Sequence, residues 1–325
     1  SVTMIGYGAF AYCTALTDVV ISNSVETIDE KAFIKCEALT SIGIPNSVTK
    51  IGKSAFYGCS GVTSVTIPEG TTEIADSVFG GCKVLTNVVI PRGVTKIGDS
   101  AFKGCTGLTS IDIPANVVSI GDNAFNGCTG LASVTISENV TSIGGYAFYN
   151  CSSLANITFG ENSQLTSIGD DAFRLCSLLD TIHVEAPVPP TLGYSVFDNT
   201  PASFCYIPCG TLAAYQASDW AKYVDEFVEG ECTMIITYTS TDGNVVTPNE
   251  AEAFGANIVS NTYQDGQGVI TFDGPVTSIG EKAFYERKSL ASITIPNSVT
   301  TIGNWAFRYC SSLTSVTIPN SITSI

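Results

Sequence analysis

Apolar residues recur along this chain in a fixed three-part order. One unit runs Leu108-Thr-Ser-Ile111-Asp-Ile113-Pro114, continues through Val117-Val-Ser-Ile120-Gly121, and closes on Asp122-Asn-Ala124-Phe125-Asn-Gly-Cys128. The first part, with Thr and Ser between its apolar residues, predicts a strand whose branched side chains face inward and whose hydroxyls face water. Proline ends it because it has no N–H to give to a ladder. The second part predicts a shorter extended piece closed by Gly52, Gly98, Gly121, Gly144 and Gly169, where a positive φ costs little. Asp29 and Ala75 occupy that place in two units, and a different local turn is expected at Ala75. The third part, x-x-A-F-x-x-C, is helix-compatible and predicts about one turn.

The order is also periodic. Phe10, Phe33, Phe56, Phe79, Phe102, Phe125 and Phe148 lie 23 residues apart, and Cys13, Cys36, Cys59, Cys82, Cys105, Cys128 and Cys151 each follow by three. A constant period places equivalent residues above one another, so each unit is one coil of a solenoid stacked on the next at about 4.8 Å. Phe173 comes 25 residues after Phe148 because Gly160-Glu-Asn-Ser-Gln164 adds two, which places the insertion in a corner loop. The pattern stops after Phe197, where Thr200 holds the cysteine position.

Beyond Ala186-Pro-Val-Pro-Pro190 the spacing of Leu212, Tyr215, Trp220, Tyr223, Val224 and Phe227 predicts an amphipathic helix over 210–228 that covers the open end of the stack. Met234-Ile-Ile-Thr-Tyr-Thr and Gly268-Val-Ile-Thr-Phe272 read as strands, with turn signals at Asp242-Gly243 and Asp265-Gly266. The repeat resumes at Val276 and runs through Phe284, Phe307 and Cys310, with Arg287 in place of one cysteine. Both ends of the chain fall inside a unit, which reads as a segment of a longer protein.

The units Leu108–Cys128 and Leu290–Cys310, with I-P-x-x-V-T-x-I-G and A-F-x-x-C, resemble the BspA-like leucine-rich repeats of bacterial surface proteins. Tyr206-Ile-Pro with Ala214-Tyr215 and Trp220 resembles the closing element of such arrays in gut Bacteroides-type proteins. Ile236–Asn244 and Val269–Gly274 resemble the segment that opens them. The expected fold is a repeat solenoid, mainly β, with leucine-rich-repeat-like coils and short helical turns. A small α-helical cap and a small β module separate two arrays. The expected organisation is a solenoid over 1–184, a degenerate repeat and helical cap over 185–230, a β module over 231–275 that opens a second array, and truncated repeats over 276–325. The resemblance implies a non-enzymatic cell-surface or secreted scaffold for protein binding or adhesion, with host matrix proteins among its partners. A carbohydrate-binding or carbohydrate-active β-solenoid and a structural stalk are the alternatives.

Composition narrows the chemistry. The 325 residues carry a formal charge of −16, with 14 Lys+Arg against 30 Asp+Glu. Such a chain repels a polyanion, so nucleic acid is excluded as a partner. At 44% hydrophobic and 14% charged it can bury a core and is not disordered. No run of about 18 apolar residues crosses a bilayer, and Ser1–Phe10 lack the features of a signal peptide. A single histidine, His183, makes most zinc and triad chemistry unavailable.

Candidate sites follow from the columns. The outward position of the first strand reads Val20, Gly43, Thr66, Val89, Asp112, Thr135, Thr158 and His183, then Thr294 and Thr317. No two carboxylates face each other there, so the paired acids of a glycosidase are missing. The candidate face for a protein or glycan partner is Thr66, Asp112, Thr135, Thr158 and His183. An acidic column, Asp76, Asp99 and Asp122 with Glu30, Asp170 and Glu281, reads as caps on the following turn in preference to a Ca²⁺ site. The cysteine column reads as buried reduced thiols, since parallel Cβ vectors about 4.8 Å apart exceed disulfide reach. Cys205 and Cys209 read as free thiols, with a Cys209–Cys232 bridge as the alternative. His183 reads as a solvated surface side chain, and no cofactor is expected.

Overall fold

A computed structural model of the chain describes residues 2–161, 163–230, 234–250 and 253–325. The first part of each repeat forms the predicted strand, as in Ser133–Ile136, where Val134 and Ile136 are buried while Ser133 and Thr135 are exposed. Parallel pairing joins equal positions of successive coils: Ser110, Ser133 and Asn156 align, as do Ile111, Val134 and Ile157. Equal spacing places like residues opposite one another, and the buried faces of neighbouring strands merge into one apolar interior. The second part forms a parallel stack of two-residue strands from Glu73–Ile74 to Thr191–Leu192.

The glycines after those short strands serve a different purpose from the expected one. Gly52, Gly98, Gly121, Gly144 and Gly169 do not have positive φ. A Cβ on Gly121 would lie 2.8 Å from the backbone N of Asp99 and 2.8 Å from the backbone C of Gly98, in the coil before. Close approach of backbones selects glycine here, and dihedral freedom does not. Ala75 keeps the common turn, with Val78 N donating to its carbonyl at 3.3 Å as Ala55 N does to Gly52 at 3.2 Å.

The third part is a chain of turns and contains no helical turn. Ser100, Phe102 and Gly104 donate their N–H groups to Asp122, Ala124 and Asn126 of the next coil, while Ala101, Lys103 and Cys105 donate to Gly98, Ser100 and Phe102 of their own. Every second amide leaves for the neighbouring coil, which an i→i−4 ladder cannot accommodate. Left-handed residues on either side of the Phe reverse the chain, at Ser100 (φ 57°) and Gly104 (φ 73°). These turns hold the Phe ring inward. Phe10 to Phe197 stack with centroids 5.1 to 5.9 Å apart, and Phe33 to Phe173 are all but inaccessible.

Helix over 210–228 is short. Leu212–Gln216 is a single α turn, Asp219–Lys222 is a 3-10 turn capped by Ser218, and Glu226–Glu229 is a strand. The apolar spacing reflects what these residues cover: Trp220 lies 5.4 Å from Phe197 and donates its indole N–H to Pro190 O at 2.9 Å. Tyr223 meets the same Phe ring edge-on at 5.8 Å. The Phe column therefore ends on a tryptophan whose only polar atom is satisfied.

Two compact units are distinguished. The first comprises Ser1–Glu185, Pro189–Tyr206 and Gln216–Phe227; the second comprises Ala186–Val188, Ile207–Tyr215 and Val228–Ile325. In the second unit, the hairpin Ile258–Gln264 and Gln267–Phe272 pairs antiparallel through Gln267–Phe272 with Ile235–Ser240, and Ile235–Ser240 pairs on its other side, also antiparallel, with the first repeat strand, Leu290–Thr294. That strand pairs in parallel with Ser315–Thr317. Phe254 packs 5.0 Å from Phe272 and 5.8 Å from Phe284, so it starts the second aromatic column, which Phe307 continues at 5.5 Å.

Candidate interaction surface

On the first-strand face, the register sets Asp112, Thr135, Thr158 and His183 side by side on adjacent rungs. The same row gains Tyr206, which pairs with His183 and stacks on its ring at 4.5 Å and 6°. Asp112 and Thr135 are exposed, and Thr158 and His183 are half-buried by their neighbours. Thr66 is exposed but belongs to a separate pair with the strand Asn87–Val89, where it lies opposite Val89. Among the described residues no ladder joins Asn87–Val89 to Ser110–Asp112. An open depression of about 570 Å³ lies there, lined by Val89, Arg92, Asp112 and Asn116 among others.

The sequence reading missed Tyr206 and Phe204 as parts of this face. Phe204-Cys-Tyr-Ile-Pro208 has the form of Ser133-Val-Thr-Ile in the repeat, with Cys205 in the buried position and a proline closing the strand. That I-P signal was the available clue. Phe204, opposite Thr181 one outward position before Tyr206, is 39% exposed and adds an apolar group to this face, as the exposed Val20 and Val89 do on their own strands. Beside His183, burial pushes the Glu185 carboxyl above its usual range; the His183 charge opposes this and Glu161 adds to it.

Many of the other hydroxyls hold the stack together. Thr86 donates to Thr63 O at 3.2 Å, and Thr95, Thr141, Thr166 and Thr191 donate to carbonyls of their preceding coils at 2.9 to 3.2 Å. These corner threonines satisfy carbonyls and do not form part of a free hydroxyl ribbon.

The acidic column caps across coils. Asp76 Oδ1 accepts from Asp99 N, Asp99 Oδ1 from Asp122 N, and Asp122 Oδ1 from Gly145 N, at 3.0, 3.0 and 2.8 Å. Each carboxylate thus satisfies the equivalent amide one coil onward, whereas the sequence reading assigned it to its own turn. Among the described residues no three His, Cys, Asp or Glu side chains converge as a metal site would require.

The thiol column is inert by construction. Cys105 Sγ donates to Phe79 O at 3.2 Å, Cys128 to Phe102 O at 3.2 Å, and Cys310 to Phe284 O at 3.0 Å. Burial pushes Cys59, Cys105, Cys176 and Cys205 up to about 12, and a protonated thiol is a poor nucleophile. Cys13 is exposed and the remaining free cysteines are buried. Cys209 is disulfide-bonded, which corrects its reading as a free thiol. Cys232, the partner considered for it, lies outside the described residues.

Parallel coils, an aromatic column and an exposed strand face define a leucine-rich repeat solenoid. Residues 1–109, 95–215 and 253–325 match the family described as the BspA type leucine rich repeat region (6 copies), and the chain belongs to that family. A leucine-rich repeat protein of Bacteroides ovatus is 26% identical; the match covers the whole of this chain and 72% of that one, with a TM-score of 0.58. A leucine rich cell surface protein of Faecalibacterium prausnitzii is 25% identical over 97% of this chain and 76% of its own, with a TM-score of 0.35. A leucine rich repeat protein of T. pallidum is 23% identical over 61% and 80% respectively, with a TM-score of 0.38. No curated protein matches.

Proposed function

We propose that this chain is a non-enzymatic, cell-surface or secreted scaffold that binds a protein partner along its first-strand face, host matrix proteins being the first candidates. The observation that carries the proposal is the in-register row Asp112, Thr135, Thr158, His183 and Tyr206. It is a broad surface with polar, apolar and aromatic groups on rigid strands, as macromolecular recognition needs. Strand ladders fix the spacing of these groups, so a partner meets them without ordering a loop. The formal charge of −16 selects a partner that is neutral or basic where it docks, and rising salt weakens the association.

The test is binding to immobilised matrix proteins, with a glycan array in parallel. Replacing Thr66, Asp112, Thr135 and Thr158 together by lysine lowers affinity about tenfold or more, while the melting curve holds. Undiminished binding by a folded variant overturns the assignment of the face. Binding to glycans and to no protein moves the chain to the carbohydrate-recognising alternative.

A further inference from the structure

The sheet of the second unit begins at Ile258–Gln264, a seven-residue edge strand. Its sequence, Ile-Val-Ser-Asn-Thr-Tyr-Gln, contains no charge and no proline, and Val259 is 65% exposed. Edge strands present unpaired N–H and C=O groups, and proteins ordinarily blunt them with charges, proline or a cover. Glu226–Glu229, a strand of this same chain, carries a glutamate at each end. Among the described residues, the feature that blunts Ile258–Gln264 is a register shift between Ile258 and Ser260.

The hairpin fixes which groups are free. Asp265-Gly266, with φ of 51° and 83°, is a two-residue loop, so Gln264 and Gln267 form the closing bonded pair. Alternation then directs the backbone bonds of Thr262 and Ser260 toward Gln267–Phe272 and leaves the N–H and C=O of Asn261 and Tyr263 on the free side. Side-chain bonds hold both residues in place: Tyr238 Oη donates to Asn261 Oδ1 at 2.8 Å, and Ser240 N donates to Tyr263 Oη at 3.2 Å. The edge is therefore preordered.

We infer that this edge docks a second copy of the chain, strand against strand and antiparallel, about a two-fold axis at Thr262. That axis sets Asn261 opposite Tyr263 of the other copy, matching donors with acceptors at both positions, and sets Thr262 opposite itself. A chain with a large negative charge pairs with itself best where it carries none, and an uncharged strand is such a place. The two five-stranded sheets become one of ten strands. Seven residues a side bury less than the area of a permanent interface, so the dimer is weak and appears at high concentration.

Sedimentation equilibrium of the whole chain tests this. The wild type reversibly forms a dimer, and Thr262→Lys and Thr262→Glu each raise the dissociation constant about fivefold to tenfold through like charges placed face to face. An equimolar mixture of the two variants recovers the dimer. Thr262→Ser behaves as the wild type, and melting curves confirm that each variant is folded. A wild type that stays monomeric to about 1 mM overturns the inference. So does a dimer that ignores folded Thr262→Lys, or one that the mixture fails to restore; an edge that captures other proteins and never itself belongs to the first of these outcomes.

Discussion

Phe102→Ala removes the centre of the aromatic column. Phe102 is fully buried, with Phe79 at 5.7 Å on one side and Phe125 at 5.4 Å on the other. Truncating a buried Phe costs about 3–5 kcal/mol through lost transfer energy and the cavity left behind. A stacked aromatic neighbour adds about 0.5–1.5 kcal/mol beyond area, and this ring has two. The coils above and below are separated by rigid ladders and cannot close the gap, so the upper part of the range applies. Phe10 supplies the internal comparison. It is 40% exposed and stacks on Phe33 alone, at 5.1 Å, so Phe10→Ala costs about 1–2 kcal/mol. Denaturant unfolding followed by Trp220 fluorescence in a Trp305→Phe background measures both, because Trp220 belongs to the first unit and covers its Phe column. Equal costs at the two positions, or a cost below about 1 kcal/mol at Phe102, would refute the claim that a stacked column carries this unit's stability.

Four further outcomes follow from the thiol column, the glycine contacts and the acidic column. Burial pushes the Cys59, Cys105 and Cys176 thiols up to about 12 against an ordinary 9.0, so the unfolded chain loses its protons first. Their stabilisation is complete below about pH 9 and is lost toward pH 12; denaturant midpoints fall across that window and fall less in Cys105→Ala. At pH 8 a thiol reagent modifies Cys13 rapidly and the column only after denaturation, and rapid native reaction of several thiols would contradict their burial. Gly121→Ala drives a Cβ into the backbone of Gly98 and Asp99 and lowers the melting temperature, whereas an unchanged melt would mean that the coils are spaced more loosely than described. Asp99→Ala strands the amide of Asp122 and costs about 0.5–1.5 kcal/mol, while Asp99→Asn retains an acceptor and loses less; equal losses would assign the effect to charge.

Much of the stack could be read from spacing alone. A 23-residue period between identical Phe and Cys positions leaves one register for the coils, and the register decides which side chains meet. What escaped the reading depends on the neighbouring coil. The A-F-x-x-C piece looks helical because its local bonds span three residues, but every second amide is committed to the next coil, beyond any local window. Gly121 is required by Gly98 and Asp99, about one period earlier in the chain. Over 210–228 the apolar spacing of a helix was present, yet Trp220 and Tyr223 take their places from Phe197 and Pro190. On the candidate face, Asp112 through His183 followed from the period, while Tyr206 was hidden because Cys205 replaced the expected branched residue. The edge strand Ile258–Gln264 has too little apolar alternation to stand out, and it is ordered by the Tyr238 hydroxyl from across its sheet and by the bond its own Tyr263 hydroxyl accepts from Ser240 N.

The central claim is that the first-strand face is where a protein partner docks. Photo-crosslinking tests it most directly, with a benzophenone amino acid placed singly at Thr135 on that face and at exposed Val118 on the second-strand face. With a matrix protein bound, the Thr135 probe yields a covalent adduct and the Val118 probe does not. An adduct from Val118 with none from Thr135 would contradict the claim and move the docking surface to the second-strand stack.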